Sequence, residues 1–229
     1  MSETKSSLTG EELYAALRRD MIDSRTPGGT VLQEEDIARR YGVSRTPVRE
    51  ALQRLHQDNL IGRRGRFYVV ALPSHDRIRD IYEFREAIEA ASVMLCCDRA
   101  TDLEIETIAA LLREQENAAV IQNFYDYERL DTLFHLAIAD GARNEVLRSQ
   151  LALSYDELWF SRVGNLISIV NYSVAATLGG HQRIVDALRR RERDVARAEM
   201  ISHLRSAIAV SERALPQKRR KNSSKIEQS

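Results

Sequence analysis

Tyr41-Gly-Val-Ser-Arg-Thr-Pro-Val-Arg-Glu-Ala-Leu52 is the stretch that most constrains the fold of this chain. Gly42 falls where a helix must stop and the backbone must turn with positive φ, a conformation free of Cβ strain only for glycine. Ser44 belongs to the residue types that cap a following helix. Pro47 falls in that helix's first turn, where its missing N–H is harmless. Val48, Ala51, Leu52 and Leu55 then repeat at helical spacing and define a buried stripe. Two helices joined by so short a turn make a helix-turn-helix, with the second helix expected from about Ser44 to Asp58.

That geometry leaves Arg45, Thr46 and Arg49, with Ser44 beside them, at the N-terminal end of the second helix and away from the stripe. In a helix-turn-helix this end meets base edges and phosphates. A guanidinium matches guanine O6 and N7 with two hydrogen bonds, and threonine contacts a phosphate or a thymine methyl. Taken alone, the two arginines also fit an ordinary solvated helix face. Upstream, Thr9-Gly-Glu-Glu12 is a capping box that opens a first helix with Leu13, Ala16, Leu17, Met21 and Ile22 on its apolar face. Thr26-Pro-Gly-Gly29 ends that helix with turn chemistry, and Glu34 to Tyr41 forms a short helix with Ile37 and Ala38 inward. Downstream, residues 61–70 read as a β-hairpin turning at Gly65, the wing of a winged helix. Arg63, Arg64 and Arg66 at its tip suit a minor groove or phosphates; an exposed basic turn is the plainer reading.

The string Y-G-V-S-R-T-P-V-R-E-A-L resembles the DNA-binding signature of the GntR family of bacterial transcription regulators. The likeness extends upstream through Gly29–Ala38 and downstream to Leu60-Ile61, roughly the first third of the chain. It implies a winged helix-turn-helix over residues 9–72, after a disordered N-terminus at 1–8.

Charge divides the chain unevenly. Residues 1–72 carry 12 basic and 10 acidic side chains, 73–215 carry 17 and 23, and 216–229 carry 5 and 1, so a net charge of zero hides an acidic middle. An acidic middle is ill suited to lie on DNA, whereas either end can. Lys218-Arg-Arg-Lys221 reads as a solvated basic tail. No apolar run reaches about 18 residues, so no membrane span is expected. The N-terminus lacks the apolar core of a signal peptide, and Cys96 and Cys97, the only cysteines, are adjacent. These features point to a reducing, cytoplasmic setting.

Beyond Leu72-Pro-Ser-His75, which reads as a hinge, the pattern is helical throughout and predicts a mainly α protein. Ile78, Ile81, Tyr82, Arg85, Ile88 and Glu89 share one face of the first of these helices. Thr101-Asp-Leu-Glu104 is a second capping box, opening a helix with Ile105, Ile108, Leu111 and Leu112. Further helices are expected over 124–139, 144–163, 173–190 and 194–215, with a break at Gly164-Asn165.

Four residues in this region have the chemistry of metal ligands. Asp131 and His135 lie one helical turn apart and face the same way. His181 opens the face of Ile184, Val185 and Leu188, and His203 sits in the last helix. Three imidazoles and a carboxylate suit zinc, nickel, iron or manganese. A histidine hydrogen-bonded in a core is the common alternative.

Residues 73–215 resemble the all-helical FCD domain, the ligand-binding and dimerisation domain of the FadR-type branch of the family. In its metal-binding members the ligands are an Asp and a His one turn apart, a His opening the penultimate helix and a His in the last. Asp131, His135, His181 and His203 fill those places, which implies a divalent metal ion, with zinc first among the candidates. Four protein ligands leave room for a small carboxylate effector. Arg85 matches an arginine common in that domain's first helix and can take the effector's carboxylate, or else pair with Glu89 one turn away. Arg162 and Asn165 are further candidates for the pocket. Gly180 stands where many relatives carry Glu, so a polar partner is expected to be missing there.

The expected protein is therefore a homodimeric, effector-responsive regulator, in this family more often a repressor, bound to a double-stranded DNA operator. A metal-free regulator sensing a larger apolar ligand, such as a fatty acyl thioester, is the alternative within the class. A metallo-hydrolase using the same cluster is the remote one.

Overall fold

The computed structural model describes residues 8–23, 26–164 and 166–214, with side chains described at all of them except 160–164, 166–173 and 210–214. The first helix begins where the capping box puts it. Thr9 Oγ1 accepts from the Glu12 amide at 3.2 Å, and the Glu12 carboxylate accepts from the Thr9 amide at 2.8 Å. Helix α1 (Gly10–Asp23) buries Leu13, Leu17 and Met21 as expected, and adds Tyr14, whose hydroxyl donates to Asp58 at 2.6 Å. A short strand, β1 (Val31–Leu32), follows, then α2 (Glu34–Tyr41). Gly42 ends α2 at φ 66° and ψ 33°, the left-handed turn its position requires.

Helix α3 (Arg45–Gln57) places Val48, Ala51, Leu52 and Leu55 in the core with no exposed surface. Ser44 holds the N-cap position with extended backbone, but its side chain makes no capping hydrogen bond. The reason lies three residues on. A capping serine bonds the amide of the second or third helical residue, and the third is Pro47, which has no N–H. The expected cap is thus absent and the hydroxyl stays exposed.

Strands β2 (Ile61–Arg64) and β3 (Phe67–Val70) pair antiparallel around Gly65, which has φ 60°. The sheet order is β1-β3-β2, with Val31 opposite Val69. Strand β1 is too short to leave a period in the sequence and was not expected.

The chain then enters α4 (His75–Arg99), capped by Ser74 Oγ accepting from the Arg77 amide at 3.2 Å. Helices α5 (Asp102–Val120), α6 (Phe124–Gly141), α7 (Glu145–Gly164), α8 (Leu166–Arg189) and α9 (Arg193–Ala214) complete the bundle. The capping box at Thr101 and Glu104 is formed. Helix α7 ends at Gly164, where a break was expected, but α8 starts at Leu166 and not near Ser173; residues 166–173 contain no Gly or Pro to delay it. Among the described residues, no helix is long and apolar enough to cross a membrane.

One apolar core fills the bundle, around Val93, Ile108, Phe134, Ile184 and Met200, and another fills the winged helix. The second core includes Trp159 of α7. Its ring meets Tyr125 edge-on at 5.2 Å between centroids, and the Tyr125 hydroxyl donates to the Ile22 carbonyl at 3.3 Å. Asp156, one turn before Trp159, pairs with Arg18 of α1. A bundle helix thus supplies part of the winged helix's interior.

Candidate DNA interface and candidate metal centre

Because α3 buries its apolar stripe completely, its opposite side faces solvent, and Ser44, Arg45, Thr46 and Arg49 are all exposed. Arg45 donates to Glu35 at 2.6 Å and Arg49 to Glu34 at 3.0 Å, both carboxylates lying in the first turn of α2. On the wing, Arg63 donates to the Tyr68 hydroxyl at 2.6 Å with its guanidinium 4.3 Å from the ring centre. Arg66 lies 4.9 Å from the Phe67 ring centre, and Arg64 is exposed. Arg49, Gln53 and His56 of α3 line one groove with Arg63 and Tyr68 of the wing. Gln53 and His56 carry no motif signal; only the hairpin folding back beside α3 brings them to this groove.

The second constellation lies inside the bundle. Helices α6, α8 and α9 bring one nitrogen each of His135, His181 and His203 within 4.8 Å of one another, all buried. Asp131 is buried on the same face of α6, with Oδ1 3.6 Å from His181 Nε2. Phe134 stacks on the His181 ring at 4.1 Å between centroids. Two residues that the sequence does not mark as partners of the histidines hold the rings. Gln115 of α5 accepts from His181 Nδ1 at 2.8 Å and donates to Asp131 Oδ1 at 3.2 Å. Glu89 of α4 lies 2.5 Å from His135 Nδ1, close but off the line of a straight hydrogen bond. Gln115 sits in the polar run Arg113–Asn117, where only its complete burial distinguishes it.

These partners decide which nitrogens face inward. Gln115 must turn its NH2 to Asp131, so its carbonyl oxygen faces His181 and keeps a proton on Nδ1. Glu89 does the same for His135. Both Nε2 lone pairs then point at each other across 3.2 Å. Two lone pairs so placed repel unless a cation lies between them. A proton on His181 or His203 serves poorly. Burial pushes the His181 imidazole down to about 3 against the pull of Asp131, and burial with the neighbouring His181 and His135 holds His203 well below its ordinary value. Two nitrogens each 2.0–2.1 Å from a tetrahedral zinc stand about 3.3 Å apart. The donor set therefore fits a divalent ion.

Arg85 is completely buried beside this cluster. It donates to Glu89 Oε1 at 2.7 Å and to the Tyr155 hydroxyl, with the Tyr155 ring centre 4.1 Å away. Burial would raise the Glu89 carboxyl, but the charges of Arg85 and His135 hold it at about 2. Of the two readings of Arg85, the ion pair with Glu89 is the one formed here. The Arg162 side chain and Asn165 lie outside the described residues, as do residues 1–7 and 215–229. At Gly180 a Cβ would stand 2.8 Å from His203 Nδ1. Glycine here does more than omit a polar partner: it lets the His203 ring approach α8.

An exposed helix-turn-helix and wing, joined to a helical bundle, are the parts of a DNA-binding regulator. Comparison with known proteins agrees. The family described as bacterial regulatory proteins, gntR family, matches residues 9–67, and the FCD domain matches 80–206. This chain belongs to the GntR family of bacterial transcription regulators with an FCD domain.

It is 27% identical to the HTH-type transcriptional regulator YdhC of Bacillus subtilis over 84% of this chain and 86% of that one. It is 29% identical to the HTH-type transcriptional repressor RspR of Escherichia coli over 85% of each. Among solved structures, E. coli McbR/YncC superposes with a TM-score of 0.77 at 18% identity, over 89% of this chain and 97% of that one. A GntR regulator from Rhodococcus gives 0.75 at 23%, over 90% and 99%. At those identities the structures speak for the fold.

Proposed function

We propose that this protein is a cytoplasmic, homodimeric transcriptional repressor whose operator binding is set by a small carboxylate bound at a metal ion among Asp131, His135, His181 and His203. One observation supports the metal reading most directly: the Nε2 atoms of two completely buried imidazoles, on α6 and α8, face each other at 3.2 Å. Three nitrogens and an oxygen suit zinc best among the borderline divalent ions. When bound, the ion would supply a Lewis-acidic open position for a carboxylate or water. The chain's own part is to hold the rings: Gln115 orients His181 and Asp131, Phe134 stacks on His181, and Gly180 admits His203.

Arg45, Thr46, Arg49 and Ser44 would meet one face of the major groove, with Arg63, Arg64 and Arg66 on the flanking minor groove or phosphates. A dimer would set two such helices on a near-palindromic operator. Tyr155 touches the buried cluster, and on the same helix Asp156 and Trp159 touch the winged helix. A ligand that favours one placement of α7 is thereby felt at the DNA-binding end, and only such a difference between states can regulate. The repressor reading leans on the similarity to RspR.

The test is thermal melting of chelator-treated protein with and without zinc, nickel or manganese. An ion bound only to the folded state raises stability by about 2.7 kcal/mol at a free concentration of 100 Kd. The rise is expected in wild type and lost in His135→Ala. No rise with any ion would leave the cluster a structural feature and send the effector search to larger apolar ligands.

A further inference from the structure

Glu89 has the least exposed carboxylate among the described residues, and it lies on α4, a helix that contributes none of the four candidate ligands. Its two oxygens are divided. Oε1 takes Arg85 Nε at 2.7 Å, with the Tyr155 hydroxyl at 3.4 Å, and Oε2 stands 2.5 Å from His135 Nδ1. A carboxylate facing Nδ1 keeps the imidazole proton on that nitrogen and leaves the lone pair on Nε2. Nε2 is the nitrogen of His135 that meets His181 at 3.2 Å. Arg85 in turn has its Nε on Glu89 and a terminal nitrogen on Tyr155, between the rings of Tyr82 and Tyr155 at 5.0 and 4.1 Å.

We propose that Glu89 is a positioning residue of the metal centre, fixing which nitrogen His135 offers, and that Arg85 is its fixed counter-charge. The role follows from geometry. Glu89 holds Arg85 with one oxygen and reaches a candidate ligand with the other. Removing Arg85 would leave a buried charge unpaired, which proteins rarely tolerate. The proposal rests on the metal reading above, and the experiment separates the two.

Wild type, Glu89→Gln and His135→Ala are compared as full-length, chelator-treated protein. Glutamine keeps the shape and gives its one carbonyl oxygen to Arg85, so its NH2 turns to His135 Nδ1, and folding is preserved where alanine would strand Arg85; circular dichroism checks this. Zinc affinity is read by competition with a chromophoric chelator, and imidazole tautomers by long-range 15N–1H NMR without metal.

Expected are a His135 proton held on Nδ1 in wild type, a loss of zinc affinity of about 10–100-fold in Glu89→Gln, and no binding in His135→Ala. Equal zinc affinity in Glu89→Gln and wild type would overturn the proposal, because a merely structural ion pair would leave affinity alone. If wild type binds no ion, the metal reading fails, and the tautomer then decides for Glu89. A proton on Nδ1 that is lost from it in Glu89→Gln upholds positioning; a proton on Nε2 or shared between the nitrogens in wild type overturns it.

Discussion

The recognition surface and the histidine cluster are built on opposite physical terms. Arg45 and Arg49 are more than half exposed, and each is held by one carboxylate in solvent, an arrangement worth at most about 1 kcal/mol. Such side chains are free to be re-aimed by whatever phosphates and bases they meet. The cluster is fixed before anything binds: every ring is buried, and His135 and His181 have their Nδ1 partners in place. Adaptable charge suits a surface that must slide along nonspecific DNA before finding one site. A preset pocket suits a sensor that must answer to one small ligand.

Trp159 is where the two regions meet, and breaking it should give the largest effect. Trp159→Ala removes a buried ring from the winged-helix core and is expected to destabilise the protein by about 3–5 kcal/mol in urea unfolding. The loss should register in the winged helix as well as in the bundle. If only bundle signals respond, the two regions are less joined than the contacts with Tyr125 imply.

The next effect sharpens the contrast from the DNA side. Arg49→Ala should cost about 1–3 kcal/mol of operator affinity if the side chain reads a base, with protein stability nearly unchanged because its partner Glu34 is at the surface. Operator affinity equal to wild type would remove Arg49 from the interface. Arg64→Ala should act more weakly and evenly across sequences, lowering the slope of log affinity against log salt by about 1.

A gradual effect, spread over several pH units, tests the cluster through pH. His181 is protonated only near pH 3 in the folded protein, but from about 6.5 in the unfolded chain. Between those values the unfolded state binds more protons. Metal-free stability should therefore fall as pH drops below about 6.5, by up to about 1.4 kcal/mol per pH unit for this group. His203 adds to the fall in the same direction. Stability of the metal-free protein that is flat over this range would show that the histidines are solvated and not buried.

Local grammar made the recognition half legible. Gly42, the stripe from Val48 to Leu55 and the Gly65 turn each act over a few residues, so their consequences can be read from order alone. Ser44 shows the limit even there: the expected cap fails because of Pro47 in the same motif. The four candidate ligands were also legible, by helical spacing together with the family resemblance. Gln115, Trp159 and the reach of Glu89 to His135 were not. Each acts on a partner at least 12 positions away along the chain, and nothing in an ordinary helical pattern marks it.

The central claim is that ligand occupancy of the histidine cluster controls DNA binding. It is tested most directly by fluorescence anisotropy of an operator duplex selected from random sequence. Zinc-loaded wild type and His135→Ala would be titrated with and without a panel of small carboxylates. At least one carboxylate is expected to change wild-type operator affinity by about 5–150-fold, the usual range of coupling between sites, and to leave His135→Ala unaffected. The same change in both proteins, or none in wild type with any carboxylate, would contradict the account.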